Sequence, residues 1–194
     1  MKKLLFLLPV AALCLFAALP AAHGQQAAHA LSGTITDILP NLKMISVAAD
    51  DGTTATFQWV KVAGEKVDFD KNLSADTTPV NSSAVKGDHV IVFYSGVGDP
   101  RTALALRDLG KGPLEVTSGV VLKLDKHEHQ LTIKDLSGKE VSFTLDPKTI
   151  ADTATGASEN FHFDINKGTF VQVTAAGADG APSAPTALLV AAAM

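Results

Sequence analysis

The sequence predicts an all-β protein made of two tandem, small, five-stranded antiparallel barrels. Three observations carry this. Apolar and polar residues alternate with period two in short runs, no 3.6-residue apolar period persists for a dozen residues, and the chain resembles itself after about 80 residues.

The first 24 residues are expected to lie outside that fold. Lys2 and Lys3 precede an almost unbroken apolar run from Leu4 to Leu19, and Ala22-His23-Gly24 places small residues three and one positions before Gln25. This is the pattern of a cleaved signal peptide. Pro9 and Pro20 interrupt the run and no basic stop-transfer cluster follows, which argues against an anchor. Cys14 follows Leu13 rather than a small residue, and hydrophobic sequence continues past it, so a lipid anchor is not expected. Cleavage would leave 170 residues (194 less 24) with 14 basic and 20 acidic side chains, a formal charge of −6, and no cysteine. An exported chain without disulfides must be held by its core. An acidic surface repels phosphate backbones, so nucleic acid is not expected as a partner. Periplasmic or secreted localisation follows, with no stable membrane insertion after cleavage.

The repeat defines the units as residues 31–110 and 114–194. At an offset of 86, Gly33 falls on Gly119, Ile35 on Val121, Ile45 on Leu131, Val47 on Ile133, Gly52 on Gly138 and Phe57 on Phe143, without a gap. At an offset of 81, Lys86-Gly87 falls on Lys167-Gly168, Val90 on Val171 and Val92 on Val173. The closing pieces "TALALRD" (102–108) and "TALLVAA" (186–192) match as well.

Each copy reads the same way from its start. "GTITDIL" and "GVVLKLD" open a first strand, and "KMISVAA" and "HQLTIKD" form a second. Asp51-Gly52 and Ser137-Gly138 signal the hairpin into a third. There Ala55, Phe57 and Trp59 face one way and Thr56 and Gln58 the other; Val141, Phe143 and Leu145 oppose Ser142 and Thr144 in the second copy. One apolar face at period two means a half-buried strand. An irregular stretch rich in Asp, Ser, Thr and Asn follows, then the Lys-Gly turn, a fourth strand and a fifth.

Five short strands are too few for a sandwich, and closing them into a barrel removes the exposed edges. Gly33 and Gly119 are expected to let the first strand coil between the two sides of the barrel. Gly87 and Gly168 are expected to supply the positive φ of the turn into strand four. "DLGKGPLE" (108–115) reads as the joint between units.

Gly-Thr/Val-Val/Ile in the first strand, an Asp/Ser-Gly hairpin and Lys-Gly-Asp-x-Val before the fourth strand resemble the exported, OB-like β-barrel domains of a bacterial family of unknown function. That resemblance covers nearly all of the chain after residue 24 and implies tandem OB-like barrels behind a signal peptide. The second copy departs from it in having Thr169 where the first has Asp88. Its motifs are turn glycines and core valines, which specify a fold and no chemistry.

Candidate functional residues are few. His127 and His129 sit two apart, so in an extended strand both imidazoles would face one side and reach one ion. The segment aligns with the first hairpin turn of copy one, however, and further ligands would have to come from His162 or Asp164. Asp68, Asp70 and Asp76 lack the spacing and closing glutamate of a calcium loop. No cysteine remains after residue 24, no serine sits in a Gly-x-Ser-x-Gly turn, and His89 lies at the mouth of strand four. The single Trp and Tyr, with Phe57 and Trp59 on the buried face, do not make a stacking platform for single strands. No catalytic, cofactor-binding or metal-binding residue is therefore assigned, and no cofactor is expected.

One strand departs from the pattern. In "HVIVFY" Val90, Val92 and Tyr94 take the core face, leaving Ile91 and Phe93 pointing outward. Copy two places Gln172 and Thr174 at the matching positions, as a solvated face would. A strand apolar on both faces is covered by something. Ile91 and Phe93 are therefore candidate interface residues, covered by the long loop, the other barrel or a partner. The expected function is a non-enzymatic binding or scaffolding module of the bacterial cell envelope, with an envelope protein or polysaccharide as partner. The alternative is a metal-binding protein or metal-assisted enzyme using the His127/His129 hairpin.

Overall fold

A computed structural model describes residues 27–59, 85–159, 161, 164–177 and 184–193. The expected signal peptide and the acidic 68–81 loop lie outside the described residues. Every regular element among the described residues is a β-strand.

The first half contains β1 (His29–Leu39), β2 (Met44–Ala49), β3 (Thr54–Trp59), β4 (His89–Ser95) and β5 (Arg101–Gly110). They close into a barrel in the order β1-β2-β3-β5-β4. Only β3 and β5 run parallel; the other neighbours are antiparallel. Ile35, Ile45, Val47, Phe57, Val90, Val92 and Leu106 fill its interior, with Tyr94 at one end.

The second half comprises β6 (Leu114–Asp125), β7 (Gln130–Asp135), β8 (Glu140–Thr144), β9 (Ile150–Thr153), β10 (Gly156–Ser158), β11 (Phe170–Ala176) and β12 (Ala187–Ala192). They form one seven-stranded sheet, ordered β10-β9-β12-β11-β6-β7-β8. Here the structure differs from the five-stranded barrel expected. In the first half Phe57, Gln58 and Trp59 pair with Arg101, Thr102 and Ala103 to close the ring. In the second half only Thr144 bridges Thr186, and its amide donates to the Pro185 carbonyl at 2.9 Å. Pro185 stands where the first half has Arg101 and has no N–H to donate, so the closing ladder stops there. The rest of that edge of β12 pairs with β9.

The added hairpin of β9 and β10 lies in the stretch expected to be irregular. All four residues of β9 are buried because it is covered on both sides. Ala151 packs into the second half's own core, whereas Ile150 packs toward the first barrel.

The two halves share local detail at an offset of 86 residues. The bulge between Ile35 and Asp37 has its counterpart between Val121 and Lys123. Lys43 and His129 both have positive φ, and their carbonyls accept from the amides of Trp59 and Leu145. Gly87 and Gly168 do adopt the positive φ expected of the Lys-Gly turn, at 91° and 90°. Gly33 and Gly119 stand where the first strand of each half passes from one partner strand to the other, and packing there adds a reason for glycine. A Cβ on Gly33 would overlap the Ala48 carbonyl oxygen, and one on Gly119 would overlap that of Lys134. Close approach of the paired strand excludes a side chain at both places.

Lys111–Pro113 connects β5 to β6, and the halves then pack against each other. The outward faces of β1, β4 and β5 bring together Ala30, Ile91, Phe93 and Ala105, and Ile150, Ala157 and Leu189 of the second half cover them. Ile91 and Phe93 are fully buried in this third core. The Ala157 amide donates to the Ala28 carbonyl at 2.7 Å, tying β10 to the start of β1.

Candidate functional site

Polar contacts rim this third core. Arg107, opposite Ile91 on β5, reaches across to the buried Glu159 and donates through Nη1 to the Lys148 carbonyl at 2.8 Å. On the other side Ser32 and Thr174 share a hydrogen bond of 2.8 Å, and the Thr174 hydroxyl also lies 2.8 Å from Asp50 Oδ2. Gln172 Nε2 donates to the Asp50 carbonyl at 3.3 Å. This corrects the expectation that Gln172 and Thr174 face solvent: Thr174 is buried and Gln172 half-buried, because the β1 and β2 ends of the first barrel lie over β11.

Beside these contacts the two halves leave an open cleft of about 490 Å³. Its walls include Tyr94, Arg101 and Asp51 from the first barrel and Asp152, Phe170 and Gln172 from the second sheet. Four of them are placed by a strand end or a turn. Tyr94 is the penultimate residue of β4, Arg101 opens β5, Phe170 opens β11, and Asp51 sits in the β2–β3 turn. Asp51 Oδ1 accepts from the Thr53 amide at 2.8 Å and its hydroxyl at 2.6 Å, which holds that turn.

Aromatic and charged groups cluster around Tyr94. The Arg101 guanidinium carbon stands 4.8 Å from the Tyr94 ring centre, and the Phe57 ring packs at 5.5 Å. His29 approaches the same ring at 5.9 Å and donates or accepts through Nδ1 at 3.0 Å from Asp152 Oδ1. Burial raises the Tyr94 hydroxyl above its ordinary value; Arg101 opposes this, and the Asp152 and Asp51 carboxylates add to it. Burial also pushes the Asp152 carboxyl up, against the pull of His29 and of the Ala30 and Thr153 amides. The cleft thus offers a fixed guanidinium, two carboxylates and several hydroxyls. An exposed aromatic edge, Phe170, stands at its rim.

His127 and His129 lie elsewhere, in the β6–β7 turn, and both are exposed. The turn is organised by Asp125, whose Oδ1 accepts from the amides of His127 at 3.1 Å and Glu128 at 3.0 Å. His129 occupies the left-handed position of that turn, with φ of 50°, and stacks on Phe161 at 4.2 Å. Asp164 and His127 border one shallow hollow, while His162 is outside the described residues. No group of three His, Cys, Asp or Glu side chains suited to a metal ion occurs among the described residues. His89 is half-buried and meets the Thr34 hydroxyl through Nε2 at 3.2 Å.

Reasoning from sequence missed His29, Arg101, Asp152 and Phe170 as neighbours. They come from four separate strands on two halves, and no spacing in the chain links them. Tyr94 belongs to the first barrel's core, as its alternation implies, and it also lines the cleft. No protein-family model matches the chain, and no curated protein is found to resemble it.

Proposed function

We propose that the chain is an exported, non-enzymatic binding or scaffolding module of the bacterial cell envelope, periplasmic or secreted. In this reading it derives from a duplicated OB-like barrel, and its partner is an envelope polysaccharide or protein. One observation carries the reading: two β-halves locked by a buried apolar core and a buried ion pair enclose one cleft with anchored polar walls. Rigid walls lower the ordering cost of binding and suit recognition. The shared bulges, turns and close-approach glycines at a constant offset support duplication.

The test is co-sedimentation of the purified chain, from Gln25 onward, with isolated wall polysaccharide and with envelope protein, while the ligand fraction is analysed for new products. Retention without product formation is expected. Release of fragments, or a stoichiometric submicromolar zinc site abolished by His129→Ala, would replace the module with a metal-assisted enzyme.

A further inference from the structure

The inter-half cleft is the feature whose chemistry reaches furthest, and we propose that it binds a neutral oligosaccharide of about two pyranose rings, in keeping with ligand sites of roughly 300–1,000 Å³. This rests on the binding-module reading and gives that module its ligand class.

Charge selects the class first. Arg101 brings one cation to the walls and Asp51 one anion, while the Asp152 carboxylate is engaged by His29 at 3.0 Å. A single guanidinium among two carboxylates, one of them engaged by His29, is poorly suited to phosphate or another anion. Shape selects next. A pyranose has an apolar C–H face and a polar hydroxyl edge. Phe170 offers the first a ring that is 41% exposed at the cleft rim, and Ala191 and Ala192 on the same side let a flat ring come close.

Anchored polar groups match the hydroxyl edge. Thr53 engages Asp51 through Oδ1, which leaves Oδ2 to accept from a vicinal hydroxyl. Gln172, which lines the cleft, is held through Nε2 by the Asp50 carbonyl, so its Oε1 remains as an acceptor. Arg101 is held over Tyr94 at 4.8 Å, so its fork of donors is oriented before binding. Asp51 and Arg101 stand on the wall given by the first barrel, and Gln172 stands beside the aromatic edge of Phe170 on β11 opposite. Side chains fixed in this way lose little freedom on binding.

The experiment is a calorimetric and NMR titration of the chain with cellobiose, maltose and N,N′-diacetylchitobiose, with digalacturonate as the charged comparison. At least one neutral disaccharide is expected to bind with a Kd in about the micromolar to millimolar range. Phe170→Ala and Arg101→Lys should each weaken it about tenfold or more, whereas Leu42→Ala, on the exposed β1–β2 turn at the opposite end of β2 from cleft-lining Ala49, leaves it unchanged. Absence of saturable binding by every neutral disaccharide up to about 10 mM overturns the proposal. So does tighter binding of digalacturonate, or indifference to Phe170→Ala. If the disaccharides fail while the chain still co-sediments with envelope material, the ligand class falls and the module stands. If a disaccharide binds and is cleaved, the ligand class stands and the non-enzymatic reading falls.

Discussion

Arg107 of the first barrel and Glu159 of the second half form an ion pair at the edge of the core they share, with the Glu159 side chain wholly buried and that of Arg107 11% exposed. Arg107 Nε is itself buried without an acceptor, so Glu159 and the Lys148 carbonyl carry the compensation for this charge. Glu159→Leu should therefore destabilise by about 3–5 kcal/mol, because it strands a buried guanidinium. The double change Arg107→Met with Glu159→Leu should recover most of that loss. Urea unfolding of the parent and the two variants measures it; a Glu159→Leu variant within about 1 kcal/mol of the parent would show that the pair is solvated.

Phe93 lies fully buried between the halves, beside Ile91 and facing Ile150, Ala157 and Leu189. Phe93→Ala is expected to lose about 3–5 kcal/mol through lost transfer energy and the cavity left behind. Phe93→Asp should lose more, since it buries a carboxylate in the shared apolar core, a cost that the Arg107 guanidinium, 6.0 Å from the Phe93 ring centre and already paired with Glu159, offsets only in part. Denaturation and size-exclusion chromatography together are diagnostic. Reduced stability at unchanged oligomeric state is the expected pair of results. Lost association at unchanged stability would instead assign the patch to another molecule.

Asp152, buried at the contact between halves and bonded to His29, is expected to make that contact depend on pH. Burial holds its carboxyl above the ordinary value of 3.8, with His29 opposing. A carboxyl raised in the folded state binds its proton more tightly there than in the unfolded chain. Its contribution is therefore fully present below the unfolded value and is lost as pH rises through the folded one. Asp152→Asn should accordingly gain stability relative to the parent as pH climbs from about 4 to about 7. His29→Ala should steepen the parent's own decline over that range, because the opposing charge is gone. Thermal melts across the range check both signs, and parallel curves for parent and Asp152→Asn would overturn them.

Gly33 and Gly119 should respond alike. A Cβ at either position collides with a backbone carbonyl of the paired strand, which no rotamer change relieves. Gly33→Ala and Gly119→Ala are each expected to destabilise by several kcal/mol, in the range of about 1–3 or more found for overpacking. Gly112→Ala, where a Cβ meets nothing within 4 Å, is the control. Chemical denaturation distinguishes them, and near-parent stability in both glycine variants would mean that the strands separate freely.

Local pattern was sufficient for much of this molecule. Alternation in "TATFQW" and "EVSFTL", the Asp-Gly and Ser-Gly hairpins and the Lys-Gly turns are interactions between residues near in sequence, so they mark strands and turns directly. The doubled apolarity of "HVIVFY" showed that β4 is covered on both faces, because burial of two faces leaves its trace in one strand's composition. What covers it was decided by tertiary structure. Ile150, Ala157 and Leu189 are 57–96 residues away from Phe93 in the chain, and nothing in their own segments marks them as its partners. The same holds for closure, where Pro185 and the β9 pairing make the second half an open sheet despite a matching pattern in its first three strands. The cleft is the extreme case: Tyr94 and Arg101 of the first barrel face Asp152 and Phe170 only after both halves have folded and docked, since four different strands place them. Periodicity records which face of a strand is buried; it carries no record of which distant face it is buried against.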